Sequence, residues 1–333
     1  MKTLSAYKAS LKNVIRYRPF LRRLVTKHMI DFDFPAVIGI DPTTRCNLNC
    51  SFCGPRRAGL PDGMFSLKLY GRIIGESLQH GLRQMLILHN SGEPLLNPDI
   101  YEMVALAKRE KAARVVQFST NGLNLTRENA AKLIEAGLDG LVISVDAATR
   151  GDYAELKGRD CLEKVIENAR GLMEEKRRRK SSTPWVSAKM VRRRGKEDTF
   201  ARFLEFWSGI VDEASLTPFS NWGGTVDYGG TEPIPRERFA CHFLWYYPAI
   251  QWDGAVYCCC ASTEPAAVIG NVNKKSLAAI WRDEPLARLR RFHLEQEYGR
   301  AEPCRDCTYW SESRVNLDDW LVKRERRARA GKQ

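Results

Sequence analysis

A chain of 333 residues, 44% of them hydrophobic, has room for one large α/β domain and an appendage. Its formal charge of +13 comes from the two ends: residues 1–30 carry eight Lys/Arg and no acid, and residues 323–333 carry six Lys/Arg against Glu325. The body between them is neutral, which argues against a face that tracks phosphates and so against nucleic acid as a partner. No run of eighteen apolar residues could cross a bilayer, and the first thirty residues lack an apolar signal core with a cleavage site. Ten cysteines without a secretory signal point to a reducing compartment and to metal, so the expected location is the cytoplasm.

Residues 1–34 read as a basic N-terminal extension. Leu4, Tyr7, Leu11 and Val14 fall at helical spacing before Pro19, and Leu21, Leu24 and Val25 form a second short apolar set. The segment either caps the main domain or rests as a basic amphipathic helix on an anionic membrane, which would make the protein membrane-associated. From 35 to 225, apolar strands at about 36–42, 84–89, 114–119, 140–145, 185–191 and 212–218 alternate with helical stretches near 66–80, 98–110, 126–136, 150–178 and 196–209. Buried-type strands alternating with helices predict an α/β fold on a parallel sheet, with its chemistry at the C-terminal ends of the strands. Residues 226–320 differ, with short strands, turns and clustered cysteine, and 321–333 form a basic tail with little to bury.

The strand ends carry the motifs. Cys46, Cys50 and Cys53, spaced Cys-x3-Cys-x2-Cys, follow the first strand. Three thiolates can hold a 4Fe-4S cluster and leave its fourth iron open to a substrate-like ligand, although three close cysteines also suit a zinc site. Asn90-Ser91-Gly92-Glu93-Pro94 follows the second strand, Ser119-Thr120-Asn121-Gly122 the third and Ser144-Val145-Asp146 the fourth. Farther on, Cys241 precedes the hairpin-like stretch 250–257 with its Asp253-Gly254 turn, then Cys258, Cys259 and Cys260, then the pair Cys304 and Cys307. Pairs of thiols from separate loops are how a closed four-thiolate site is made, for a cluster or for zinc. Strand alternation would turn Cys258 and Cys260 to the face opposite Cys259, and Cys161 reads as structural or surface.

With Phe52 before the third cysteine, the motif Cys-Asn-Leu-Asn-Cys-Ser-Phe-Cys resembles that of the radical S-adenosylmethionine (SAM) superfamily. Ser91-Gly92-Glu93-Pro94 is similar to its Gly-Gly-Glu-Pro loop, with Ser91 in place of the first glycine. The resemblance implies a partial (β/α)6 parallel barrel with SAM lying along the strand ends. There the Ser91–Pro94 loop and the Glu93 carboxylate would receive the methionine ammonium. Ser144 and Asp146 are the choices for SAM's ribose and carboxylate, with Ser119, Asn121 and Lys189 behind them. The C-terminal third resembles the superfamily's SPASM/twitch region, in which Cys241, Cys259, Cys304 and Cys307 would bind one auxiliary 4Fe-4S cluster, a layout similar to the twitch-bearing dehydrogenases of 2-deoxy-scyllo-inosamine type. Two 4Fe-4S clusters and SAM follow as cofactors, with a flavodoxin- or ferredoxin-type electron donor. The implied reaction is reductive cleavage of SAM to a 5'-deoxyadenosyl radical, hydrogen abstraction, and oxidation of a small-molecule substrate such as a sugar or cyclitol through the auxiliary cluster. The alternatives are a maturase acting on a peptide, and an epimerase in which Cys258 or Cys260 returns the hydrogen atom.

Overall fold

The computed structural model describes residues 33–226, 238–262 and 264–312. The readings of the basic extension and the basic tail fall outside these residues. Six strands, β1 (Val37–Ile40), β2 (Arg83–Ile87), β3 (Ala113–Thr120), β4 (Gly140–Ser144), β5 (Trp185–Val191) and β6 (Glu213–Thr217), pair in sequence order and all in parallel. The four-residue helix α1 (Gly54–Arg57) ends the cysteine loop, and α2 (Leu67–Gln79), α3 (Ile100–Arg109) and α4 (Arg127–Glu135) cross between strands. Each of the last three buries one face, with Tyr70, Ile73, Met103, Val104 and Leu133 under Leu86, Val116, Phe118 and Leu141 of the sheet. The partial (β/α)6 barrel expected from the sequence is what forms.

One expected element is two. The stretch 150–178 splits into α5 (Arg150–Lys157) and α6 (Leu162–Arg178), because Gly158 takes a left-handed φ of 68°. The break frees the last carbonyls of α5, and Ser51 and Asn49 N–H donate to those of Leu156 and Lys157 at 2.9 and 3.2 Å. The cysteine loop is thereby docked on the C-terminus of α5. Helix α7 (Glu197–Ser208) closes the series over β5 and β6, burying Phe203 and Trp207.

The C-terminal region continues the same sheet. Strand β7 (Ala249–Ile250) runs parallel to β1, with Gly39 opposite Ala249. Strands β8 (Ala255–Tyr257) and β9 (Val268–Asn271) follow antiparallel, giving the order β6-β5-β4-β3-β2-β1-β7-β8-β9. Two helices, α8 (Leu277–Arg282) and α9 (Glu284–Leu294), pack behind. Glu76 of α2 accepts from the N–H groups of Leu277 and Ala278 at 3.0 and 2.8 Å, capping α8 from the barrel side. No helix among the described residues is long and apolar enough to cross a membrane.

Candidate metal centres

The cysteine loop leaves the top of β1 and is held on three sides. Besides its contacts with α5, Asn121 Nδ2 donates to Asn47 Oδ1 at 2.7 Å and stands 4.0 Å from Cys46 Sγ, while Glu93 N–H donates to the Arg45 carbonyl at 2.8 Å. Cys46 is exposed and Cys50 and Cys53 half-buried. The three share one site: burial pushes the Cys50 thiol up to about 11, with the neighbouring Cys53 and Cys46 adding to the rise and Lys157 opposing it, and burial likewise raises Cys46. Bare thiolates are disfavoured here, so a soft cation among them is what would complete the loop.

Lys157 is missing from the sequence-derived set. It is fully buried, its Nζ lies 2.6 Å from Asp146 Oδ2 and 5.6 Å from the centre of the Phe52 ring. Burial pulls the Lys157 pKa down, but the charges of Asp146 and Cys50 outweigh it and the net shift is upward. Asp146, expected at the ribose, also accepts from Ser144 Oγ at 2.6 Å and from Val191 N–H at 3.0 Å. Both its oxygens are occupied by the protein, so it braces the strand ends while Ser144 and half-buried Lys189 sit beside it.

The Ser91–Pro94 loop is built from tight contacts. A side chain on Gly92 would collide with the carbonyl oxygens of Thr43 and Arg45. Ser91 keeps a negative φ, so glycine is not demanded there; its N–H donates to both oxygens of buried Asp41 and its Oγ accepts from Gln251 Nε2 at 3.1 Å. Glu93, 2% exposed, is turned inward, accepting from Thr120 Oγ1 and Asn121 N–H at 2.7 Å and Leu95 N–H at 3.1 Å. Burial nevertheless raises its pKa. These bonds tie Glu93 to the end of β3. Ser119 donates its N–H to His89 Nδ1 at 3.0 Å, and burial, then the charge of Lys189, hold that imidazole neutral with a pKa of about 4.

The second group is deeper. Cys241, Cys259, Cys304 and Cys307 line one cavity with Arg238 and His293. Cys307 N–H donates to the Cys304 carbonyl at 3.2 Å, Ala261 N–H points to Cys259 Sγ at 3.4 Å and Tyr309 N–H to Cys307 Sγ at 3.3 Å. Asn221, on the segment joining the two regions, braces this loop through the Asp306 carbonyl and Thr308 N–H at 2.8 and 2.9 Å. Burial, then the mutual charge of the other cysteines, raises Cys241 well above a normal thiol and Cys307 to about 12. Four soft donors lining one cavity, Cys259 and Cys304 buried and Cys241 and Cys307 half-buried, fit an iron–sulfur cluster. Among the described residues no three His, Cys, Asp or Glu side chains close on a single ion; a cuboidal cluster holds its thiolates farther apart than one ion does.

The expectation that Cys258 and Cys260 share a face opposite Cys259 does not hold. Strand β8 ends at Tyr257, after an irregular step in its pairing with β9, so residues 258–260 form a bend to which period-two alternation does not apply. Cys258 is fully buried and hydrogen-bonded to Cys259 and Cys304, while Cys260 reaches the hydroxyls of Tyr247 and Tyr309. Cys161 precedes α6 and lies 3.7 Å from the Tyr153 hydroxyl.

The radical SAM superfamily model matches residues 40–186, and the SPASM iron-sulfur cluster-binding domain matches 241–308. A GTP 3',8-cyclase of Synechococcus sp. (strain WH7803) is 31% identical over 244 residues, 63% of this chain and 70% of that protein. The chain belongs to the radical SAM superfamily. It is a radical SAM enzyme with a SPASM domain, whose cofactors are SAM, a 4Fe-4S cluster and an auxiliary cluster. The GTP 3',8-cyclase of Chlorobaculum tepidum is 34% identical over 128 residues, and the chain spans only 38% of that relative's length. Among solved structures, BtrN in complex with AdoMet and 2-DOIA superposes with a TM-score of 0.59 at 17% identity, covering 86% of this chain and 96% of BtrN. Streptococcus suis SuiB bound to precursor peptide SuiA gives 0.63 at 17% identity, over 85% of this chain and 72% of SuiB. At these identities the likeness concerns the fold.

Proposed function

We propose that this radical SAM enzyme oxidises a small polar metabolite such as a sugar or cyclitol, converting a secondary alcohol to a ketone. Cys46, Cys50 and Cys53 are assigned to the barrel cluster, leaving one iron for SAM, and Cys241, Cys259, Cys304 and Cys307 to the auxiliary cluster. Bound there, SAM and the clusters supply a 5'-deoxyadenosyl radical that removes one hydrogen atom from the substrate carbon, and an acceptor for the electron that remains. The hydroxyl proton leaves to solvent, which balances the loss of two hydrogens.

The observation that carries the oxidation is the auxiliary cavity, where four protein thiols converge. With all four corners held by protein, no position stays open for a substrate, which suits electron relay. The spare thiols weigh against epimerisation, because Cys258 is buried with its proton shared toward Cys304 and Cys260 is held between two tyrosines. In the barrel, Phe52, Gly92, Ser119, Asn121, Ser144 and Lys189 are the residues proposed to face SAM, with Glu93, Asp146 and Lys157 fixing the backbone that presents them. A flavodoxin- or ferredoxin-type protein is the proposed electron donor.

A peptide substrate is the second reading, favoured by the likeness to SuiB bound to SuiA. The likeness to BtrN in complex with AdoMet and 2-DOIA supports the small molecule. The test is anaerobic incubation of the reconstituted enzyme with SAM, dithionite and carbon-deuterated cyclitols or sugars. Expected are deuterium in 5'-deoxyadenosine and a product lighter by the abstracted deuterium and the hydroxyl proton. A product at the substrate's oxidation level, carrying solvent deuterium at the abstracted carbon, overturns the oxidation.

A further inference from the structure

Two basic side chains, His293 and Arg238, face the auxiliary cavity. His293, on α9, is 1% exposed and packs edge-on against Tyr298 with ring centres 5.4 Å apart. Its Nδ1 accepts the N–H of Cys241 at 3.1 Å. A nitrogen that accepts carries no proton, so the ring is the neutral tautomer with its hydrogen on Nε2. That Nε2 is buried and turned to the Cys304 side chain, to which it hydrogen-bonds, and it meets no oxygen or nitrogen acceptor among the described residues. Arg238 stands on the same side. Its terminal nitrogens donate to the carbonyls of Arg305 and Cys304, its guanidinium lies 4.5 Å from the centre of Tyr298 and 5.6 Å from that of Trp310, and its buried Nε also has no partner among the described residues.

A buried donor whose one acceptor is a thiol, beside a guanidinium nitrogen left without an acceptor among the described residues, calls for a stronger acceptor in the cavity. Sulfur of the auxiliary cluster is an acceptor that fits both. We infer that His293 donates its Nε2 proton to a sulfur of the auxiliary cluster and, together with the charge of Arg238, raises that cluster's reduction potential, making it the electron acceptor of the pair. Hydrogen bonds to sulfur and nearby positive charge both favour the reduced, more negative cluster. At the barrel loop the bias is weaker: Lys157, the cation beside Cys50, is paired with Asp146 at 2.6 Å, and the contact from Asn121 Nδ2 to Cys46 Sγ is long at 4.0 Å. The polarity of the two sites therefore runs one way, toward the auxiliary cluster. The inference rests on the oxidative reading for its purpose, though not for its measurement.

The experiment is an anaerobic redox titration of full-length, two-cluster protein without substrate, followed by electron paramagnetic resonance, on wild type, His293→Phe and His293→Gln. Phe removes the donor, whereas the Gln amide restores an N–H of similar reach. Expected for His293→Phe is an unchanged iron content and an auxiliary midpoint lower by at least tenfold in the one-electron equilibrium, which is 59 mV, with the barrel cluster's midpoint unmoved and His293→Gln close to wild type. An unchanged auxiliary midpoint in His293→Phe overturns the inference. So does loss of the auxiliary cluster from that variant, since the ring would then serve assembly. Because no substrate is present, a finding of epimerisation in turnover would sink the oxidative reading and leave this result standing.

Discussion

At the scale of single residues, the sequence showed the thiols and missed their electrostatic partners. Cys46, Cys50 and Cys53 were legible because spacing alone marks them, but Asp41, Lys157 and His293 are lone charged or polar residues whose meaning depends on what the fold sets beside them. Asp41 had one weak signal, an acid directly after the fully buried strand Val37–Ile40. Burial raises its pKa from 3.8 to about 6, with the donors from Ser91, Gly92 and Gln251 opposing the rise. A folded pKa above the unfolded one means that this group stabilises the fold below about pH 4 and that the contribution is lost as pH climbs through about 6. The whole effect is about 3 kcal/mol, roughly half of it above pH 5. Asp41→Asn keeps the volume and one acceptor for Ser91 but cannot ionise, so its stability relative to wild type should improve from pH 5 to pH 7.5 by about 1.5 kcal/mol. Denaturant unfolding of the apoprotein at several pH values reads this directly, and a pH-independent difference would mean that Asp41 is not the strained group.

At the scale of elements, six strands and four of the helices could be read from period and length, because each buries one face and the pattern records it. Gly158 could not, since a glycine inside an apparently continuous helical pattern reads as a tolerated defect, and its left-handed φ appears only once Asn49 and Ser51 claim the carbonyls at the end of α5. The bend at 258–260 escaped for a similar reason: the apolar run continues in sequence past Tyr257, where the strand ends. Docking between elements was also invisible. Glu76 is an ordinary surface acid of α2 by sequence, yet it caps α8 across about two hundred positions. Glu76→Ala leaves two N–H groups of α8 without their acceptor and should cost about 0.5–2 kcal/mol, the range of a lost helix cap. Differential scanning calorimetry should show the loss, with SAM affinity unchanged and Glu76→Gln closer to wild type. Equal melting of wild type and Glu76→Ala would show that α8 does not depend on the barrel helix.

For the whole molecule, the change in composition near residue 226 suggests two separable units, and the backbone joins them. The N–H groups of Val37, Gly39 and Asp41 donate to the carbonyls of Tyr246, Pro248 and Ile250 at 3.0, 3.0 and 2.9 Å, so the C-terminal region supplies the outer neighbour of β1. Gln251 reaches back to Ser91 in the Ser91–Pro94 loop. The region that carries the second cluster is thus also the wall of the first. A protein ending at residue 240 would expose the edge of β1 and the apolar side chains beneath it, a form prone to pair with other chains. It should therefore aggregate or fail to melt cooperatively, and it should not retain the four irons of the barrel cluster, even though all three of that cluster's cysteines are present. Size-exclusion chromatography with iron analysis on the truncated and full-length proteins decides the matter. A monodisperse truncated protein with about four irons would show that the barrel stands alone and that the shared sheet is a docking surface, not a requirement for folding.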